Sequence, residues 1–451
     1  MRLTKRTEPV PGDTMNTISK RRAFELAAIM ASVVLLTPCD ALAEGCGLPN
    51  SKPEAVGFSA QRLQKLEAAM QVAVDRKILP GTVIAVARHG KVVDCKAYGQ
   101  QDIEKNKPLR VDSIFRIFSM TKPIIGAAMM ILYEEGKWQP WDPVEKYIPE
   151  LAKLKVFAGL DSGGNMILED AKHPPTIGEL MAHTAGFTYG FFGDTPVDKL
   201  YKQANPLAGS ATLKEFAEKL GKLPLLYQPG EQWVYSVSTD VQALLVERLS
   251  GKPLPEFLRD RIFEPLGMKD TAYYVPEQKL SRLVTYYTAD ASGSMKPEPT
   301  EPEVTKEPTL TPGGHGLFST AADYVRFCQM LLNGGELNGV RILAPSTVQF
   351  MRANHLPDRL LTGQFHIGAT YMLPGQGFGY DGAVDFDPVK VGYTVGKDTF
   401  FWFGLAGTWF WIDPTNDVVF VGLTQRLIFV PGVYGVNQVA RALTYQALVR
   451  P

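Results

Sequence analysis

Phe115-Arg116-Ile117-Phe118-Ser119-Met120-Thr121-Lys122-Pro123 runs on into the apolar stretch Ile124–Leu132, and the reading of this segment decides the rest of the 451-residue chain. Residues three apart share a helix face, so Ser119 and Lys122 meet at the start of a helix. A serine hydroxyl near neutral pH attacks poorly until a base takes its proton. A lysine amine serves once burial or a positive neighbour depresses its pKa. The same helix start aims free backbone N–H groups at any developing oxyanion. Taken alone, Ser-x-x-Lys is weak, because a capping serine followed by a surface lysine also satisfies it. The surrounding chain has to decide.

Upstream, Leu63, Leu66, Met70 and Val74 recur at helical spacing over 59–79, with Ser59 as N-cap. Thr82–Arg88 and Lys91–Tyr98 then flank His89-Gly90 as a hairpin. Near the other end, Thr399–Ile412 and Val418–Gln425 are rich in Phe, Trp and Val and flank turn residues 413–417. A last helix covers about 436–449. Between these lie helical stretches at 123–135, 213–220, 239–250 and 321–333. Met295–Gly314, with five prolines and four glutamates, reads as an exposed connector. Strands therefore cluster at both chain ends and helices in the middle. This pattern predicts an α+β fold, an antiparallel sheet drawn from about 55–135 and 310–451, with a mainly helical region at about 136–309 inserted.

Forty-seven basic and 47 acidic side chains, with 45% apolar residues, exclude a disordered or polybasic protein. A neutral balance gives no electrostatic case for nucleic acid, so the expected partner is a small molecule. Residues 1–43 read as an export signal. Lys20-Arg21-Arg22 precede the apolar run Ala23–Leu36, too short to span a bilayer, and Ala41-Leu42-Ala43 is a small-residue cleavage site. The paired arginines resemble a twin-arginine signal, which implies a periplasmic or secreted protein. Cleavage after Ala43 leaves 44–451 as the mature chain, with 41 basic against 43 acidic residues. It also leaves Cys46, Cys95 and Cys328, which fit one bridge of unreadable pairing and no metal pattern. No Walker, Rossmann or His-Glu-x-x-His pattern occurs, so neither metal nor cofactor is expected.

The run from Ser119 to Pro123 resembles the active-site segment of the serine β-lactamase-fold hydrolases. That group holds class C β-lactamases, D-alanyl-D-alanine carboxypeptidases and family VIII carboxylesterases. Leu180-Met181-Ala182-His183-Thr184-Ala185-Gly186-Phe187 is similar to its "LLxHTSG" turn, and Pro229–Ser236 to the segment with its tyrosine. Gly313-Gly314-His315-Gly316 through Asp323 resembles its glycine-rich turn before a helix. The resemblance spans about 55–447, closest to the family VIII esterases. It implies the β-lactamase/D,D-peptidase fold, with Ser119 as nucleophile, Lys122 as base or activator, and Tyr235 as proton shuttle. Which of Lys122 and Tyr235 takes the serine proton stays open at this level. The implied oxyanion hole is the backbone N–H of Ser119 and of Leu405, and Gly404 would let substrate approach the strand.

Two departures bear on substrate. Trp402 stands where β-lactamases carry a cation for the substrate carboxylate, and a Trp facing the core would fit that position equally well. Tyr235-Ser236-Val237 replaces Tyr-x-Asn, so Val237 cannot donate to a substrate amide. An aromatic rim of Phe401, Trp402, Phe403, Tyr189, Phe191 and Phe192 suits an uncharged acyl ester. His315 is a candidate substrate contact, whereas His183 reads as a turn brace. The leading expectation is an exported esterase for short-chain carboxylic esters. The alternatives are a β-lactamase or D,D-peptidase with the same residues, or a non-catalytic relative that binds ligand.

Overall fold

A computed structural model describes residues 46–450 apart from 209, 291–292, 300–301, 362–365, 368–369 and 372. The export segment read at 1–43 lies outside the described residues. The organising element is an eight-stranded sheet. Its strands are β1 (Gly81–Arg88), β2 (Lys91–Asp102), β3 (Lys107–Pro108), β4 (Gln376–Phe378), β5 (Ala383–Asp385), β6 (Thr399–Phe403), β7 (Trp409–Asp413) and β8 (Val418–Thr424). Their spatial order is β4-β5-β6-β7-β8-β1-β2-β3, and every pairing is antiparallel. The two chain ends join at β1 and β8, where Thr82 pairs Thr424 and Arg88 pairs Val418. Fully buried β1 and β8 read as continuous apolar runs because both faces are covered.

Neighbouring residues of β7 show the two covers directly. Phe410 packs on Tyr324 of the helix Ala321–Leu332, with ring centroids 5.1 Å apart. Trp411, pointing the other way, packs on Tyr445 of the helix Val433–Ala447 at 6.4 Å. Successive strand side chains alternate faces, so the sheet is sandwiched between helices. The first helix, Ala60–Asp75, is capped by Ser59, whose hydroxyl accepts from the Arg62 N–H at 3.3 Å, and it packs beside the last helix. Helices Pro196–Ala204, Leu213–Leu220 and Ser238–Ser250 fill the inserted region. Among the described residues no helix is long and apolar enough to cross a membrane.

The α+β expectation stands, with local differences. Thr399–Ile412 is two strands rather than one run, because Gly404 and Gly407 turn the chain between β6 and β7. The inserted region also carries an exposed hairpin, Lys155–Leu160 with Met166–Asp170, whose bulge between Phe157 and Gly159 and polar content hid its alternation. Cys46 and Cys95 form the bridge, and Cys328 is free and buried.

Candidate active site

Phe115–Arg116 pairs with Phe318–Ser319, and the Ile117 N–H donates to Leu317 O at 3.0 Å, so this short strand is pinned before the chain turns. Phe118 then adopts φ +44°, a left-handed backbone that costs a non-glycine residue about 1–3 kcal/mol. The surrounding pairings hold it there. A single 3-10 turn, Phe118–Met120, leads into the helix Thr121–Glu134. The kink leaves Ser119 half-buried while the apolar helix behind it takes Lys122 wholly out of water.

Lys122 is the hub. Its Nζ lies 3.4 Å from Ser119 Oγ, donates to Gly314 O at 2.8 Å and to Tyr189 OH at 3.0 Å, and stands 4.5 Å over the Tyr235 ring. The Tyr235 hydroxyl is buried and has no hydrogen-bond partner among the described residues. The segment that carries Tyr235 is braced by His183. Nδ1 of this imidazole accepts the Ser236 N–H at 3.3 Å, and its carbonyl accepts from Val234 N at 2.9 Å. Burial keeps His183 far below its ordinary pKa, so it is neutral.

The other residues singled out from sequence take these places. Trp402 is 1% exposed in β6, its ring 5.4 Å from Tyr235, 5.2 Å from Phe378 and 4.9 Å from Phe403. It is therefore both core and a wall beside the tyrosine. Leu405 is half-buried in the turn that follows β6, and its carbonyl accepts from Ile428 N at 2.8 Å. At Gly404 the structure adds a physical reason of its own. A side chain there would collide with the Ile117 carbonyl and the Thr408 hydroxyl, so its missing Cβ lets the strand end abut the Ser119 segment. Val237 is buried at the start of the helix Ser238–Ser250, and its carbonyl accepts from Asp240 and Val241. His315 lies between two glycines close to Asp240 and Lys122, and burial lowers its pKa. Tyr189 is no mere rim residue, since it is a direct partner of Lys122. Phe191 and Phe192 pack beside it, with ring centroids 5.2 and 6.1 Å from Tyr189.

Sequence reading passed over Asp240 and Asp381, two buried carboxylates behind Lys122. Burial raises the pKa of Asp240 against the pull of His315 and Lys122, and pushes Asp381 up to about 8. Asp240 precedes the buried Ala243 and Leu244 by three and four positions, so its place on the inward helix face was readable. Asp381, in the turn Gly379-Tyr380-Asp381-Gly382, offered only turn chemistry.

Comparison with known proteins shows the family. The family model described as Beta-lactamase matches residues 66–442. The chain belongs to the β-lactamase family. It is 35% identical over 367 residues to Protein Rv1367c of Mycobacterium tuberculosis, covering 80% of this chain and 89% of that one. It is 30% identical over 385 residues to Esterase EstB of Burkholderia gladioli, covering 79% and 89%. Among solved structures, EstCE1, a hydrolase with promiscuous acyltransferase activity, superposes with a TM-score of 0.69 at 27% identity. That match covers 85% of this chain and 98% of EstCE1. This is a β-lactamase-fold family of serine hydrolases with esterase and acyltransferase members, acting on small molecules.

Proposed function

We propose that this β-lactamase-family protein is an exported serine esterase that cleaves short-chain carboxylic esters through an acyl-enzyme on Ser119. The observation that carries the reading is the buried Lys122 amine, 3.4 Å from Ser119 Oγ and ringed by two tyrosines. Ser119 Oγ attacks the ester carbonyl while its proton passes to Lys122. The carbonyl oxygen becomes an oxyanion facing the N–H groups of Ser119 and Leu405. Collapse breaks the ester C–O bond, and the departing alkoxide takes a proton by way of Tyr235, leaving acyl-Ser119. Water, giving its proton to the same pair, then frees the carboxylic acid and regenerates the serine.

Trp402, Phe403, Phe378 and Phe192 line the neighbourhood of Tyr235 with uncharged surface, which favours a neutral acyl group over a carboxylate-bearing lactam. The Cys46–Cys95 bridge is at home in an oxidising compartment, in keeping with the signal read at 1–43. The test is an ester panel of rising acyl length beside a chromogenic cephalosporin, with fluorophosphonate labelling and peptide mapping. We expect an adduct on Ser119 and a kcat/KM for short neutral esters at least about a hundredfold above the cephalosporin, since each 1.36 kcal/mol is tenfold. A cephalosporin turned over as efficiently as the best ester makes the protein a lactamase. A protein unlabelled at Ser119 and inert to esters is a binder.

A further inference from the structure

Asp240 touches neither Ser119 nor Lys122, yet it holds both of the other groups that hold Lys122. One carboxylate oxygen accepts the Gly314 N–H at 2.8 Å, and the other accepts the Tyr189 hydroxyl at 3.4 Å. The Gly314 carbonyl and the Tyr189 oxygen are in turn the two closest acceptors of the Lys122 amine. The four groups close a ring, Lys122–Tyr189–Asp240–Gly314, around fully buried Asp240 and Lys122. There is no slack in it, because a side chain at position 314 would strike the Tyr189 hydroxyl and the Asp240 carboxylate.

Hydrogen-bond direction gives the ring its consequence. A carboxylate only accepts, so Asp240 obliges Tyr189 to point its proton away from Lys122 and to offer that amine a lone pair. Two N–H bonds of the amine are thereby committed to Tyr189 and to Gly314. In a neutral amine only the lone pair then remains, and Ser119 Oγ is the neighbour at 3.4 Å. We propose that Asp240 is a positioning residue of the Ser119 site, fixing Tyr189 as an acceptor so that the Lys122 lone pair faces the serine proton. Burial and the neighbouring Asp240 hold the Tyr189 pKa well above its ordinary value, so this tyrosine keeps the proton the ring needs. The inference rests on the acyl-enzyme reading of Ser119.

Asp240→Asn is nearly isosteric and reverses one bond. Its carbonyl can still accept from Gly314 N–H, but its amide donates to Tyr189, which must then donate to Lys122 and draw the lone pair off Ser119. The rate of fluorophosphonate labelling at Ser119 reads this activation without turnover, beside ester kcat, KM and thermal unfolding. Asp240→Asn should label at least about a hundredfold more slowly, less than the roughly 10⁴-fold of a mis-set orienting carboxylate in a serine triad. Its KM should stay within about threefold, the sign that only the step after binding is hit. Tyr189→Phe removes the misdirected donor, so the double variant should label no more slowly than Asp240→Asn alone, which a merely structural clamp would not produce. A folded Asp240→Asn labelled at the wild-type rate overturns the proposal and leaves Ser119 as nucleophile. Should Asp240→Asn fail to fold, Tyr189→Phe labelled at the wild-type rate overturns it equally. Absence of labelling at Ser119 in the wild-type protein sinks the acyl-enzyme reading, and this inference with it.

Discussion

The wall that the sheet presents beside Ser119 and the wall that the helices and the 313–316 loop present differ in nearly every property a reacting ester would meet. On the sheet side, Trp402 and Phe403 of β6 stack at 4.9 Å, and Phe378 of β4 closes on Trp402 edge-on at 5.2 Å. Strand pairing on both sides of β6 fixes these rings, and none of them titrates. On the other side Tyr189, Tyr235, Asp240, Asp381, His183 and His315 crowd around Lys122, almost all out of water. The comparison separates two tasks. On the proposed function, moving protons belongs to the helical side, and accepting or refusing a substrate by its charge belongs to the sheet side. Damage to one should therefore change rate, and damage to the other should change preference.

The largest effect comes from the proton-handling side. Ser119→Ala should abolish turnover without altering thermal unfolding, since the hydroxyl is half-buried and its near neighbour is Lys122. Lys122→Met, which keeps the buried volume, and Tyr235→Phe should each lower kcat by about a thousandfold or more. The two together should lower it little further, because groups that act as a unit are not additive. Steady-state kinetics on one short ester, with the three variants shown folded by circular dichroism, decides the matter. Losses that multiply in the double variant would put Lys122 and Tyr235 on separate proton paths and blur the division between the walls.

A smaller effect is expected from the sheet. Burying a β-lactam carboxylate against Trp402 without a partner costs at least a few kcal/mol. Trp402→Lys supplies that partner and should raise the cephalosporin-to-ester ratio of kcat/KM by about tenfold, the equivalent of 1.36 kcal/mol. Trp402→Phe, which alters packing but not charge, should leave the ratio where it was. An unchanged ratio in folded Trp402→Lys would mean that charge selection resides elsewhere in the site.

How much of this was legible in the sequence follows the same division. Ser119, Lys122 and Tyr235 sit in short contiguous motifs, and helical spacing alone brings the first two together. The sheet was legible too, because β1, β2 and β8 advertise themselves by apolar runs and turn residues at both chain ends. The ring around Lys122 was not. Tyr189, Asp240 and Gly314 are separated by 51 and 74 residues in their contacts, and only the packing of three elements joins them. Likewise, Gly404 is glycine because Ile117, nearly three hundred residues away in sequence, presses its carbonyl there. Periodicity reports which face of an element is buried, and it is silent on which distant face meets it.

The finest comparison is between the two buried carboxylates on the helical side, and Asp381 offers it through pH. Its Oδ1 accepts from Thr239 at 2.9 Å and Gln242 at 3.1 Å, while Oδ2 has no partner among the described residues. Burial pushes its pKa up to about 8, whereas in an unfolded chain an aspartate titrates near about 3.9. Between those values the folded protein holds a proton that the unfolded chain has released. Stability contributed here is therefore greatest at the acid end and falls as pH rises toward 8. Asp381→Asn keeps an oxygen for Thr239 and Gln242 but cannot ionise. The variant should match the parent near pH 4 and become the more stable of the two as pH rises, by at most about 1.4 kcal/mol per pH unit. Asp94 and Asp323, both raised to about 6 by burial, slope the curves of both proteins alike, so the difference between the curves isolates Asp381. Urea unfolding of the two proteins from pH 4 to 9 measures it. Curves that stay parallel across that range would show Asp381 ionised throughout, compensated by Lys122, and would make it part of the charged cluster rather than a neutral neighbour of it.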